Sequence, residues 1–518
     1  MKASDIRRVE PAKRVEPDWD FDQLRHAYDA IAEIGLGELK LDIYPNQIEV
    51  ITSEQMLDAY SSIGMPLMYR HWSFGKHFAR DEMLYRHGLR NLAYEIVINS
   101  NPCIAYLMEE NSMMMQTLVI AHAAFGHNHF FKNNNLFRQW TDANGILDYL
   151  EFAKGYIARC EDRYGEDAVE RVLDAAHALM LQGVNRYPRR KSLNLRDEEE
   201  RARERLEEQE RSYNELWRSV PNQGTKSSRQ TTEAERRQML GLPEENVLYF
   251  LEKKAPLLKT WQREILRIVR HVAQYFYPQK QTKMMNEGCA TFVHYYIMNR
   301  LHETGHLGDG AMMEFLQSHT GAVYQADFDH PGYSGINPYA MGFGMMQDIR
   351  RVCENPTEED KVWLPEIAGS GDWIGVLKDG WANHRDESFI RQFLSPALIR
   401  KMKFFDLQDD GKSDLVVKAI HNERGYQTIR TRLANQFDVV QNEPEIEVVD
   451  VDLDGDRRLM LRHRVYSGIL LNEKDTAAVL QNLAELWGYE VSLTEVAAQS
   501  DTVLKQHSVA PARGSAAA

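Results

Sequence analysis

The sequence predicts an α+β protein: a large, mainly α-helical N-terminal domain followed by a small ferredoxin-like (βαββαβ) C-terminal domain. Three observations lead there. From residue 53 to about 182 the apolar residues recur mostly at helical spacing, and the helical pattern returns over 246–277, 287–303 and 340–353. After residue 372 the texture shifts to short alternating runs set between helical segments, in the order β-α-β-β-α-β. Between them in importance stands one stretch, 113–131, apolar enough for a buried helix yet carrying His122, His127 and His129. Packing alone does not call for three imidazoles, because each must find a polar partner or bear a desolvation cost.

Composition limits the function classes. At 518 residues the chain can bury more than one core, and 43% hydrophobic with 27% charged content is that of an ordinary globular protein. A formal charge of −15 argues against a general nucleic-acid or anionic-membrane binder. The first twenty residues contain no apolar core of a secretory signal, and no later run reaches the length of a membrane span. Cys103, Cys160, Cys289 and Cys353 are scattered without a C-x-x-C pair, which suits reduced thiols in a cytoplasm.

In chain order, residues 1–20 read as a disordered start. Residues 21–34 have helical spacing that ends at Gly35 and Gly37, and 41–51 alternate around Pro45–Asn46 as a hairpin or strand pair. Asn111 and Ser112 offer cap oxygens to the helix that follows. Residues 141–159 and 165–181 read as amphipathic helices. Residues 194–218 alternate acidic and basic side chains as a solvated helix, and 221–232 form a polar connector. A helix over 246–277 stops at Pro278, and Asn286 caps another that runs to about Glu303. The stretch 319–339 is loop-rich, with a further helix over 340–353. Strands are expected at 415–420, 445–451, 458–465 and 489–494, with helices at 425–435 and 475–486. The mainly helical domain thus spans 21–404 and the small domain 405–504, with a disordered tail at 505–518.

Several motifs point away from chemistry. His302-Glu303-Thr304-Gly305-His306 spells H-E-x-x-H, but Gly305 inside it and Gly308 and Gly310 after it mark a helix end that cannot align the two imidazoles. Asp450, Asp452, Asp454 and Gly455 imitate a calcium loop, yet Leu461 stands where a bidentate Glu is needed, and Asp454–Gly455 reads as a type I′ hairpin turn. There is no P-loop. Trp72, Phe74, Lys76 and His77 read as aromatic packing or a pocket lining. Lys132, Asn133 and Asn134 either bind an anionic or amide group or cap their helix.

The segments AHAAFGHNHFFKNN (121–134), HWSFGKHF (71–78) and NEGCATFVHYY (286–296) together resemble the SpoVR family (stage V sporulation protein R). The pattern H-x-x-x-G-H-x-x-F-F-K-N-N is matched from His122 to Asn134, and the resemblance runs from about Trp72 through the C-terminal region. Cys289 stands where the family usually carries Trp. The resemblance implies a link to spore cortex formation. In bacteria that do not sporulate it implies company with a serine-kinase-like AAA+ protein and a von Willebrand-type protein.

Glu287 and His294 lie seven residues apart on one helix face. The pairing of such a helix with one bearing two histidines is distantly similar to gluzincin metallopeptidases. That similarity implies zinc or another divalent transition metal on His122, His127 and Glu287, with His294 as a fourth ligand or a supporting partner. On an ideal α-helix a five-residue step turns about 140°, so His122 and His127 share a face only through a π-bulge or a break at Gly126. Ala123 occupies the place of the usual general base, leaving Glu95, Glu109 and Glu110 as the nearest carboxylates in sequence. The functional expectation is a metal-dependent hydrolase of peptide or peptidoglycan-related amide bonds, the alternative being a non-catalytic regulator with a structural metal or none.

Overall fold

In a computed structural model of the chain, the described residues are 19–61, 68–72, 95–186, 240–327, 330, 333–409, 415–419, 421–438, 442–453, 455–466 and 468–511. The charged helix at 194–218, the connector at 221–232, and Phe74, Lys76 and His77 lie outside them. Contacts divide the chain into two compact units, Met1–His177 with Thr260–Pro444, and Ala178–Lys259 with Glu445–Ala518. About the described helices one negative fact holds: none is long and apolar enough to cross a membrane.

The first unit is built on residues 113–133. Ser112 caps this segment by accepting from the Met115 N–H at 3.2 Å. It begins as an α-helix (Met113–Val119), widens into a π-helix (Ile120–His127) and returns to α (Asn128–Asn133). A second π-helix, Glu33–Glu38, carries the first helix (Phe21–Ala32) past Gly35 and Gly37, where the sequence suggested a stop. Gly35 packs closely there, where a Cβ would lie 3.0 Å from the Phe125 ring.

Against the 113–133 segment packs the helix Lys283–Glu303, and against that the helix Pro338–Glu354. Both crossings depend on missing side chains. A Cβ on Gly126 would fall 2.5 Å from Ala290 Cα, and one on Gly288 2.6 Å from the Gly342 backbone. The Gly126–Ala290 approach brings the His122–His127 segment and the helix that carries Glu287 close together.

A three-stranded sheet closes the other side. Its order is β1 (Asn46–Ile51), β3 (Cys103–Met108), β2 (Glu95–Ile98), with β1 parallel and β2 antiparallel to β3. Residues 41–51 therefore supply one strand that pairs far along the chain, not a local hairpin. Along β2 the side chains alternate, Ile96 and Ile98 buried on one side, Ile96 among Met56, Leu57 and Met108, and Glu95 and Val97 half-buried on the other.

The expected 246–277 helix is two helices, Val247–Lys254 and Thr260–Gln281. The break follows from Pro256: Ala255 takes the extended conformation (ψ 124°) that a following proline imposes. The second helix runs through Pro278 to Gln281.

The second unit holds the four-stranded sheet, in the order β6 (Glu445–Val451), β7 (Leu459–Val465), β8 (Val491–Ala497), β9 (Val503–Val509). The helix Glu473–Trp487 makes the crossover between the parallel strands β7 and β8. The α+β class is as the sequence predicts, but the topology is ββαββ, not βαββαβ. The strand at 415–419 (β5) pairs instead with Asp406–Asp409 (β4) in a separate two-stranded sheet, and the helix Glu423–Gln436 belongs to the first unit. The sheet is completed by β9, inside the tail expected to be disordered. Its side chains are mostly exposed, so no hydrophobic alternation announces it. Residues 240–259 also join this unit: Glu244 bridges to Val448, and the Phe250 ring lies 5.9 Å from that of Trp487.

Between β6 and β7 the chain makes a seven-residue connection and not a two-residue hairpin turn. Asp452 Oδ1 accepts from the Gly455 N–H at 2.9 Å, Arg457 takes a left-handed φ of 61°, and Asp454 lies outside the described residues.

Candidate metal centre

Four side chains from three elements meet in the first unit. The π-helix supplies His122 and His127. A π-helix closes its hydrogen bonds five residues apart, as the Asn128 N–H to Ala123 carbonyl bond shows, so residues five apart stand on one face. This is the device the sequence demanded, and the imidazole centroids come within 4.6 Å. Strand β2 contributes Glu95, and the helix Lys283–Glu303 contributes Glu287.

Each imidazole Nε2 is flanked by an oxygen of both carboxylates. His122 Nε2 lies 3.2 Å from Glu95 Oε1 and 3.9 Å from Glu287 Oε2; His127 Nε2 lies 3.8 Å and 3.6 Å from the same atoms. Donors bound to one zinc at about 2.0–2.1 Å stand about 3.3 Å apart in a tetrahedron, so the spacing is close to that of a shared coordination shell. Glu287 Oε2 is buried without a hydrogen-bond partner among the described residues, as a ligand atom needs to be. Among the described residues the group whose ligand atoms all lie within 4.8 Å of one another is Glu95, His122 and His127, with Glu287 outside it. The residues therefore fit a divalent transition ion. The two carboxylate side chains are each 18% exposed and the imidazoles 6% and 8%, while Glu95 Oε2 and Glu287 Oε2 are themselves buried.

The remaining imidazole nitrogens are held. His127 Nδ1 is 2.9 Å from Asn286 Oδ1, and His122 Nδ1 is 2.8 Å from His294 Nδ1. His294 thus meets His122 on the ring edge opposite the carboxylates. Asn286, read from sequence as a helix cap, lies inside its helix. Asp386 takes over the capping, accepting from the Met284 and Met285 N–H groups at 2.9 Å each.

Electrostatics divide the two carboxylates. Burial pushes Glu95 up to about 7 despite the pull of His122. Burial also raises Glu287, but His122 and His127 outweigh it and hold that carboxyl below its usual range. Burial, reinforced by His122, lowers His127 to about 4. Burial depresses His122 too, yet Glu95 and Glu287 together keep it above the ordinary imidazole value.

Other sequence candidates lie elsewhere. Glu109 and Glu110 are exposed in the turn after β3. His129 Nδ1 accepts from the Asp42 N–H at 3.0 Å, and Asn128 pairs with both backbone groups of Tyr44, so these residues tie down 42–44. Lys132 and Asn133 bind the carbonyls of Ile43 and Asp42, and Asn134 those of Trp381 and His384, which gives them structural work. The helix holding His302 ends at Glu303, Gly305 has φ +79°, and His302 and His306 turn to Asp309 and Thr304 respectively. Trp72 donates to Asp174. Cys289 is buried, its thiol 3.9 Å from the Gly126 carbonyl, and all four cysteines are free.

A helical body with a buried two-histidine, two-carboxylate cluster, and a small mixed sheet beside it in sequence, define the class. The particular family follows from comparison: residues 18–442 match SpoVR like protein and residues 444–498 match the SpoVR-like C-terminal domain, so the chain belongs to the SpoVR family. It is 55% identical over 480 residues to a protein of Escherichia coli (strain K12), "Uncharacterized protein YcgB", covering 92% of this chain and 93% of the relative. No solved structure matches the chain.

Proposed function

We propose that the protein is a metal-dependent hydrolase, with a divalent transition ion, zinc in the first instance, held by His122, His127 and Glu287. The observation that carries this reading is the convergence of both imidazole Nε2 atoms on two carboxylate oxygens at 3.2–3.9 Å. When bound, the ion would supply Lewis acidity and a water acidified toward neutrality. Glu95 is the general base. Its Oε1 faces both imidazole Nε2 atoms, at 3.2 and 3.8 Å, and it takes a proton from water and returns it to the leaving amine. His294 supports His122 and is not a ligand. Amide bonds of peptides or peptidoglycan-related material are the proposed substrate class, in keeping with the cortex association of the family. A cytoplasmic location and work alongside the family's AAA+ and von Willebrand-type partners belong to the same proposal.

One observation favours a second reading. Glu95 lies as near the two imidazoles as Glu287 does, and as a fourth ligand it would close the shell and leave a structural metal in a regulator. Glu95→Gln separates the two. On the hydrolase reading the variant keeps its metal and loses cleavage of a muramyl stem peptide by at least 100-fold, the scale of a lost general base. Loss of metal equal to that of Glu287→Gln selects the structural reading.

A further inference from the structure

Behind the cluster, His122 is the first of three imidazoles in line. His122 Nδ1 lies 2.8 Å from His294 Nδ1, and His294 Nε2 lies 3.0 Å from His319 Nδ1. All three rings are buried, at 5%, 3% and 5% exposure. His319 sits in the last turn of the helix Asp309–Ala322, its ring 4.8–5.5 Å from those of Phe343, Tyr295 and Phe315. The sequence His319-Thr-Gly reads as a turn, and the metal reading does not itself use this residue.

The chain of rings has a direction once one end is fixed. If His122 gives its Nε2 lone pair to a metal, its proton must sit on Nδ1 and point at His294 Nδ1. His294 then has to accept on Nδ1, which places its own proton on Nε2, aimed at His319 Nδ1. His319 in turn must accept there. Each ring is neutral and each tautomer follows from the one before. A metal-bound imidazole ordinarily gives its second N–H to a carboxylate or carbonyl; here that acceptor is an imidazole that itself needs an acceptor to hold the right tautomer.

We propose that His319 is a positioning residue for the metal site. By accepting from His294 Nε2–H it fixes the tautomer of His294, which fixes the Nδ1–H tautomer of His122 and leaves His122 Nε2 free to ligate. The inference rests on the metal reading above and extends it to a residue on a third helix that touches no ligand of the ion.

The test measures zinc affinity of the full-length protein by competition with a chromophoric chelator, for the parent, His319→Phe and His319→Asn. Phenylalanine keeps an aromatic ring among Phe343, Tyr295 and Phe315 but offers no acceptor. Asparagine places an amide oxygen where Nδ1 was. We expect His319→Phe to bind zinc 10–100-fold more weakly, the scale of losing an outer hydrogen bond at a metal site, and His319→Asn to recover most of the loss. The metal-free melting temperature of His319→Phe should stay at or above that of the parent, which separates the effect from misfolding. Equal affinity in parent and His319→Phe overturns the inference and leaves the metal reading intact. Equal weakening in both variants also overturns it, since the loss would then not track the presence of an acceptor. A parent that binds no zinc overturns both.

Discussion

At Glu95 the pH dependence of stability has a definite sign. Its folded carboxyl is raised to about 7 against an ordinary 4.5. In the metal-free protein, between those values, the unfolded chain releases the proton and the folded chain keeps it. The stabilisation is therefore present below pH 4.5 and lost as pH rises through 7, amounting to about 3 kcal/mol at most. Urea titrations of metal-free parent and Glu95→Gln should show the parent's relative stability falling from pH 4.5 to 7; a flat difference contradicts the assignment. Of the cluster, His122, His127 and Glu287 were legible because ligand-type residues sat on otherwise apolar helices. Glu95 was reached only by nearness in sequence, which also suggested Glu109, a residue the fold leaves exposed. Asn286 looked like a cap and His319 like a turn, because nothing local tells that a cap comes from Asp386, about a hundred residues on, or that a ring meets its partner across helices.

The decisive element is the π-helix. Its existence was implied by a contradiction, two histidines five apart that a regular helix cannot align, and Gly126 marked where relief was needed. Gly126 has a second role that no spacing reveals, the close approach of Ala290. Gly126→Ala should destabilise the protein by roughly 1–3 kcal/mol through overpacking and weaken metal binding together with it, read from denaturant midpoints and chelator competition. A stable variant with parental metal affinity would show that the close approach does not position the site. Asp386→Ala removes the acceptor for two buried N–H groups at the start of the Glu287 helix, and should cost about 1–3 kcal/mol. The strands β2 and β3 escaped notice because a short apolar run does not distinguish strand from helix, and β1, the parallel partner of β3, lies some fifty residues away.

For the whole molecule, the α+β class was legible from the change in texture along the chain, and the helices and strands after residue 415, β9 excepted, fall close to where the pattern put them. The grouping was not. Local pattern is read along the sequence, whereas the second unit gathers residues 178–259 with 445–518. A fragment of residues 405–504 lacks most of β9 and the 240–259 segment. It should therefore melt without cooperativity in a calorimeter, while residues 445–511 linked to 240–259 should give a single transition. The central claim concerns the first unit alone, and elemental analysis tests it most directly. Protein purified without an affinity tag or chelator, and its His122→Ala, His127→Ala and Glu287→Ala variants, would be assayed for bound transition metals. The account predicts close to one equivalent in the parent, zinc in the first instance, and loss of it in each variant with a lower melting temperature. Full metal in all three variants, or none in the parent, would contradict it.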